Sequence, residues 1–454
     1  MSLRSSEKES RMRQFICQGT RWGGVILVVV LLAALLSQAS PEQVVAAGTT
    51  PTFGIICTTS TSPNPTFTLT AKEGYIILPD GNTIYMWGYA EGNNDFQYPG
   101  PILCVNEGDT VTIILNNTLP KDVSLIFPSQ TNVLVNGAPA QPQFDGGGNL
   151  TSLTQVAPAN GGSATYSFVA SRPGTYAYES GTEPQIQVQM GLFGAIVVRP
   201  KLHPDWAYNR ADTQFNPDAE FIQILSEIEP TLHEAVRRGE PFDMNNYHAR
   251  YWLINGRGLP DTLAPNYASW LPAQPYSSVS RIHPFNDWAA PTDPAYNPYP
   301  ALVRYLSFGT VDYPIHPHGK NGRVIARDGH LLQGPAGQDL TYELFSIPVG
   351  PGQTWDEEFV WKDVEHYDPV TNPVPVTIPR EQNLSYGAYY SGSPYLGRQQ
   401  MLPPGTITQN LCGEYYIISH NHNLVQIMAW DFVMMGQGTF TRVDPPLPNT
   451  CPDN

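Results

Sequence analysis

Proline and glycine punctuate this chain so densely that long helices have almost nowhere to form. Its 454 residues include 44 Pro and 39 Gly. Proline ends a helix because it lacks the amide donor and its ring clashes with the preceding turn. The clearest helical pattern is Pro230–Arg238, PTLHEAVRR. Between the breaks lie short runs rich in aromatic and β-branched residues, the composition of strands. They fall at 67–69, 83–89, 110–115, 163–169, 174–178 and 191–198, and again from Phe221 in FIQILSEIEP. Pro99-Gly100-Pro101 and Glu107-Gly108-Asp109 supply turns between them. The expected class is all-β, in sandwich or small-barrel domains. Segment 129–162 is rich in Gly, Asn and Pro and reads as a long loop, 257–300 is rich in Pro, Tyr and Trp and reads as a long, structured loop, and 364–409 reads as a second Pro/Tyr-rich insertion.

Segment 415–436, YYIISHNHNLVQIMAWDFVMMG, reads as a further strand. His420 and His422 lie two apart in it, so both imidazoles would face one way. His316-Pro317-His318-Gly319 supplies a second pair earlier in the chain. If the pairs face each other, four imidazoles converge, and imidazole is the usual ligand for copper, zinc, iron and nickel. His316, His318, His420 and His422 are therefore the candidate metal ligands. The competing reading is a structural cluster of neutral histidines bonded to backbone or water. His203, His233, His248, His283 and His366 sit in turn-like or loop contexts and read as surface residues, and His330 reads as a turn residue after Asp328-Gly329. Met428, Met434 and Met435, with Trp430 and Phe432 between them, read as core.

Basic Arg4, Lys8, Arg11, Arg13 and Arg21 precede an apolar run at 23–36 and a small-residue exit, Ser37-Gln38-Ala39. This is the pattern of a secretory signal over 1–39, with an uncleaved N-terminal membrane anchor as the alternative. The run is short for a membrane span. The formal net charge is −16, and outside the signal region 19 basic residues stand against 38 acidic ones. That excludes a nucleic-acid partner, which needs basic patches, and suits a soluble extracytoplasmic protein. Cys57, Cys104, Cys412 and Cys451 make an even number in an exported chain, so disulfides are expected, with all three connectivities open. A Cys104–Cys412 bridge would tie the two halves together. No cysteine is flanked by histidine, so none is read as a metal ligand. The length predicts two or three domains.

The segments PGPILCVNEGDTVTIILNNTL (99–119) and VAPANGGSATYSFVASRPGTYAYESGTEPQIQVQMGLFGAIVVRP (156–200) resemble the first cupredoxin domain of multicopper oxidases. ALVRYLSFGTVDYPIHPHGKNGRVIARDG, IPVGPGQTWDEEFVW and the stretch around His420 resemble the last. The resemblance implies tandem cupredoxin-like Greek-key β-sandwich or barrel domains at 50–200 and 215–445, with long Pro/Tyr-rich loops. It also shows what is missing. The family's first two copper motifs fall at Ile126-Phe127-Pro128-Ser129 and Glu179-Ser180-Gly181, and their four histidines are gone. Tyr313, Asn421 and Gln426 occupy the positions of the blue type 1 copper ligands. His316, His318, His420 and His422 correspond to half of the oxygen-reducing trinuclear cluster. Glu179, at a lost ligand position, could still reach a metal or act as a base.

With no thiolate at 421 the family's electron relay is broken, and ordinary laccase turnover is not expected. The implied function is an extracytoplasmic copper-binding protein, an oxidoreductase of restricted type if it turns over. Its cofactor would be copper, with zinc as the alternative metal. A copper-sequestering protein or a metal-free scaffold without turnover is the alternative. The expected partners are a small molecule or metal ion and, by family analogy, two further copies in a homotrimer.

Overall fold

The computed structural model describes residues 51–319, 321–362, 414–449 and 451. Two sheets form between Thr58 and Arg199. One runs Thr58–Thr59, Ile102–Asn106, Phe193–Arg199, Gly174–Glu179; the other runs Thr83–Glu91, Thr66–Ile77, Thr110–Asn117, Gly162–Val169, Leu134–Val135, Ala138–Pro139. Strand Thr110–Asn117 shows why these residues pair. Val111, Ile113 and Leu115 alternate inward and are fully buried, as the two-residue period of a strand requires. They meet Phe67, Leu69, Trp87, Tyr166, Phe168 and Ile196 in one apolar core.

The second half repeats the plan with a nine-stranded and a five-stranded sheet. Strand Glu220–Ile228 is buried along its whole length because neighbours flank it on both sides: Ala301–Ser307 in parallel and Tyr251–Ile254 antiparallel. The last sheet runs Ser280–Ile282, Gly438–Val443, Tyr415–Asn421, Tyr313–Pro317, Ile347–Val349. The chain is thus all-β with cupredoxin-like sandwiches in tandem, and Pro230–Arg238 is a helix as expected, capped by the Glu229 side chain and ended by Gly239 at φ 69°.

The halves share a third core. Tyr98, Ile102 and Phe193 pack with Ile222, Ile224, Leu306 and Phe308, and the Phe193 and Phe308 rings stack with centroids 4.1 Å apart. Beside it lies a buried polar bridge. Arg304 donates to Glu220 at 2.8 Å and to Thr175 Oγ1 at 3.0 Å, and Glu220 also takes Arg199 at 2.6 Å.

Several expectations change. Cys104 bonds Cys57, not Cys412. Thr58–Thr59 runs parallel to Leu103-Cys104, which brings the two cysteine Cα atoms to 5.4 Å, inside the range a disulfide spans. Cys451 is also disulfide-bonded. Segment 129–162 is not plain loop, since it holds strands at Leu134–Val135, Ala138–Pro139, Gln143–Phe144 and Leu150–Ser152. Segment 257–300 is organised around a fully buried Arg257, whose guanidinium donates to the carbonyls of Ala264, Pro265 and Gln274. Segment 415–436 is a strand only to Asn421. A turn and the small hairpin Met428–Ala429/Phe432–Val433 follow, with Trp430 at φ 51°. Trp430 and Phe432 are exposed rather than core. The apolar run 23–36, His366 and the insertion 364–409 lie outside the described residues. Among the described residues no helix is long and apolar enough to cross a membrane.

Candidate metal centre

Strand register brings the histidine pairs together. Tyr313–Pro317 and Tyr415–Asn421 pair antiparallel with His316 directly opposite His420. Directly opposed residues share a face of the sheet. His318 extends the first strand past its end, where its amide donates to the Ile418 carbonyl at 2.9 Å. His422 likewise follows its strand and is held by its amide bond to Pro314 O, 2.7 Å. The four rings cluster with centroid separations of 4.8 Å for His316–His318, 5.1 Å for His318–His420, 5.2 Å for His316–His422 and 5.7 Å for His420–His422.

Backbone carbonyls set the ring orientations. His316 Nδ1 is paired with Phe345 O at 2.5 Å and His420 Nδ1 with Asn421 O at 2.8 Å. Each therefore carries its proton on Nδ1 and leaves the Nε2 lone pair free, the arrangement that outer partners impose on metal-ligating imidazole. His318 Nε2 and His420 Nε2 stand 3.0 Å apart. Two nitrogens bound to one metal at about 2.0 Å lie about 3 Å from each other, so this pair already has ligand spacing. No group of three or more His, Cys, Asp or Glu among the described residues is drawn in to that degree. The donor set fits a late first-row metal in chemistry, and the His318–His420 pair fits it in spacing.

Electrostatics favours the ligand form. Burial lowers the His318 pKa, and the neighbouring imidazoles His420, His316 and His422 lower it further. Burial also lowers His420, with His316 and His422 adding to it and the bond to Asn421 O opposing. Imidazoles kept neutral are the form a metal binds.

The positions expected to have lost copper hold a different structure. Asn421 is fully buried and donates to Gln426 Oε1 at 2.5 Å and Gln437 Oε1 at 2.6 Å. Tyr313, also fully buried, donates to Glu227 Oε2 at 2.6 Å. Burial and then Glu227 hold that phenol protonated, with its pKa pushed well up. Glu227 takes further bonds from Tyr247 and Thr310. These groups make a hydrogen-bonded network with no thiolate and no imidazole. Glu227 and Gln437 are missed by sequence reasoning: they sit in otherwise ordinary strand patterns, and only the register shows what they face.

In the first half, Ile126 and Glu179 pair backbone to backbone at 2.8 and 3.1 Å, so the two emptied motifs adjoin. Apolar and hydroxyl groups stand there, beside an open cavity of about 720 Å³ lined in part by Ser152, Gly181 and Thr182. Ser124, Ser152 and Thr182 form a closed ring of hydroxyl contacts at 2.9 to 3.0 Å. A Cβ on Gly181 would meet Ile126 Cγ2 at 2.7 Å and Ser124 Oγ at 3.0 Å. Burial raises the Glu179 carboxyl to about 7.

The other histidines stay apart from the cluster. His203 stacks on Trp206, His330 meets Arg172 Nη1 at 2.8 Å and His248 is exposed. His283 is half-buried against Pro445 O. His233 is not a surface residue: it is 1% exposed, with Nδ1 against Tyr85 O at 2.7 Å. Burial lowers its pKa to about 4, because the helix presses it onto the first half.

Residues 77–203 match the family model described as multicopper oxidase. A laccase of Aspergillus fumigatus is 28% identical over 173 residues, 36% of this chain and 27% of that protein. A copper-containing nitrite reductase of Neisseria meningitidis serogroup B is 28% identical over 191 residues, 40% of this chain and 41% of that protein. The alignments thus span well under half of these relatives. Among solved structures a multicopper oxidase superposes with TM-score 0.53 at 18% identity, covering 84% of this chain and 86% of its own, which is a likeness of fold.

Proposed function

We propose that this chain, whose residues 77–203 match the multicopper oxidase model, is an extracytoplasmic copper protein of that family with a reduced metal complement on His316, His318, His420 and His422. The observation that carries this reading is the convergence of the four imidazoles on one sheet face, two with Nε2 freed by carbonyl partners. Copper bound there would supply a redox-active Lewis acid with open coordination positions. The chain's own residues supply the rest. Phe345 and Asn421 carbonyls orient the rings, burial lowers the His318 and His420 pKa toward the neutral form, and half-exposure of the cluster lets a small ligand approach. The network around Tyr313 and Asn421 offers no thiolate, so electrons would reach this site without a blue relay.

Copper titration of the full-length protein, followed by metal analysis, tests the reading. About one copper per chain is expected, and His318→Ala or His420→Ala should remove most of it, since imidazoles are the strong donors present. A wild type that stays metal-free under excess copper overturns it. The His318–His420 contact, in which the two rings satisfy each other, favours the metal-free scaffold as the second reading. Oxygen uptake with copper and a reductant separates a turning-over enzyme from a copper-sequestering protein. The signal-like N-terminus and the acidic charge support export, and a homotrimer is a further proposal, tested by sedimentation.

A further inference from the structure

The residues that replaced the blue site have a role of their own toward the four histidines. Asn421 lies between His420 and His422, and its side chain points into the core while theirs do not. Its amide is fully committed. Nδ2 donates to Gln426 Oε1 at 2.5 Å and to Gln437 Oε1 at 2.6 Å, and Oδ1 accepts from the Asn423 amide at 2.8 Å. Each glutamine then reaches a different element. Gln426 Nε2 donates to Asp312 O at 3.2 Å, one residue ahead of the strand that carries His316. Gln437 Nε2 donates to Leu253 O at 3.1 Å and to Ser226 O at 3.4 Å, both in the neighbouring nine-stranded sheet. The backbone closes the same loop, with Asn421 N on Gln437 O and Gln437 N on Gln426 O, both 2.9 Å. All three side chains are at most 2% exposed, so no water competes for these bonds.

Resting on the copper reading above, we infer that Asn421, Gln426 and Gln437 are positioning residues for the metal site: a buried amide triad that sets the spacing of the two histidine pairs. The link from Gln426 to Asp312 fixes the start of one histidine strand against the end of the other. The link from Gln437 to Leu253 and Ser226 fixes both against the neighbouring sheet. His318 and His422 both lie past the strand ends, each tied across by a single backbone amide bond, to Ile418 O and Pro314 O, and the triad adds side-chain bonds to these. Partners of this kind change metal affinity without touching the metal.

The test uses full-length protein with Cu(II) as probe, in two variants that keep side-chain volume while removing the amide, Gln437→Met and Gln426→Met. The control is Gln274→Met, which removes an equally buried amide that bonds Ile77 and Gly256 away from the histidines. Gln437→Met and Gln426→Met should each weaken Cu(II) binding about ten- to a hundredfold and broaden or split the paramagnetic resonance spectrum of the bound ion. Gln274→Met should lower the melting temperature and leave affinity and spectrum as in the wild type. Should Gln437→Met fail to fold, Gln426→Met, which cuts only the Asp312 link, decides. Wild-type affinity and spectrum in a folded triad variant overturns the inference while leaving the copper reading standing. A wild type that takes up no Cu(II) overturns both.

Discussion

The two halves differ at the positions where the copper motifs of the resembled family fall. In the first half Ile126, Gly181 and the Ser124–Ser152–Thr182 hydroxyl ring pack together beside an open cavity, and Glu179 sits in a largely buried place. In the second half the corresponding positions hold a hydrogen-bonded network, with the imidazoles beside it on one face. The difference teaches that a sandwich tolerates removal of a metal site wherever its polar groups find one another. Retention of imidazoles needs a separate reason, because nothing in the strand pairing calls for them.

The largest effect should come from forcing the second half back. Tyr313→His, Asn421→Cys and Gln426→His together remove the Tyr313 donor to Glu227 Oε2 and the Asn421 donor to Gln437 Oε1, at a cost of about 4 kcal/mol from buried groups that lose a partner. Copper added to the folded variant should give a visible blue band, read by absorption, with no four-electron oxygen reduction. A colourless copper-bound variant would mean that the geometry has drifted from the ancestral site. Next in size is Gly181→His in the first half. Its side chain has no room against Ile126 and Ser124, and overpacking of this kind costs about 1–3 kcal/mol. A melting temperature equal to that of the wild type would show the pocket is still open.

Glu179 gives a smaller, pH-dependent effect. Burial raises its folded pKa to about 7 from the ordinary carboxyl value of 4.5, so the folded state holds the extra proton. Stability is therefore greatest below about 4.5 and declines as pH rises through about 7, by roughly 2 kcal/mol. Glu179→Gln should flatten that slope in melting curves across this window, and an unchanged slope would assign it to other groups, such as Glu358, whose carboxyl burial raises to about 8. His233 has the opposite sign, since its lowered pKa costs stability as pH falls from about 6.5 toward about 4. The smallest effect is expected for His330→Ala: copper stoichiometry unchanged and stability within about 0.5 kcal/mol. Loss of copper there would enlarge the site beyond the four histidines.

Much of this was readable in advance, for definite reasons. The alternation in Thr110–Asn117 and the proline spacing announce strands because burial on one face imposes a two-residue period. His-x-His on one strand announces a shared face for the same reason. What the residues did not disclose depends on register and on distant partners. The bond of Cys57 to Cys104 follows from a two-residue strand too short to stand out in sequence. His233 looks like a helix surface residue until the helix is seen to dock on Tyr85. Trp430 and Phe432 look like core until the hairpin turns them to solvent. Gln437 carries no local signal at all, since its meaning lies in Asn421 and Leu253.

The stacked Phe193 and Phe308 rings and the Arg304–Glu220–Arg199 bridge have a consequence for modularity. Cutting the chain between the halves would lay bare an aromatic face and leave Glu220 buried beside one guanidinium fewer, a penalty of several kcal/mol. The half that carries the four histidines is thus no portable cassette. A change that loosens either half is felt through the shared core by the other.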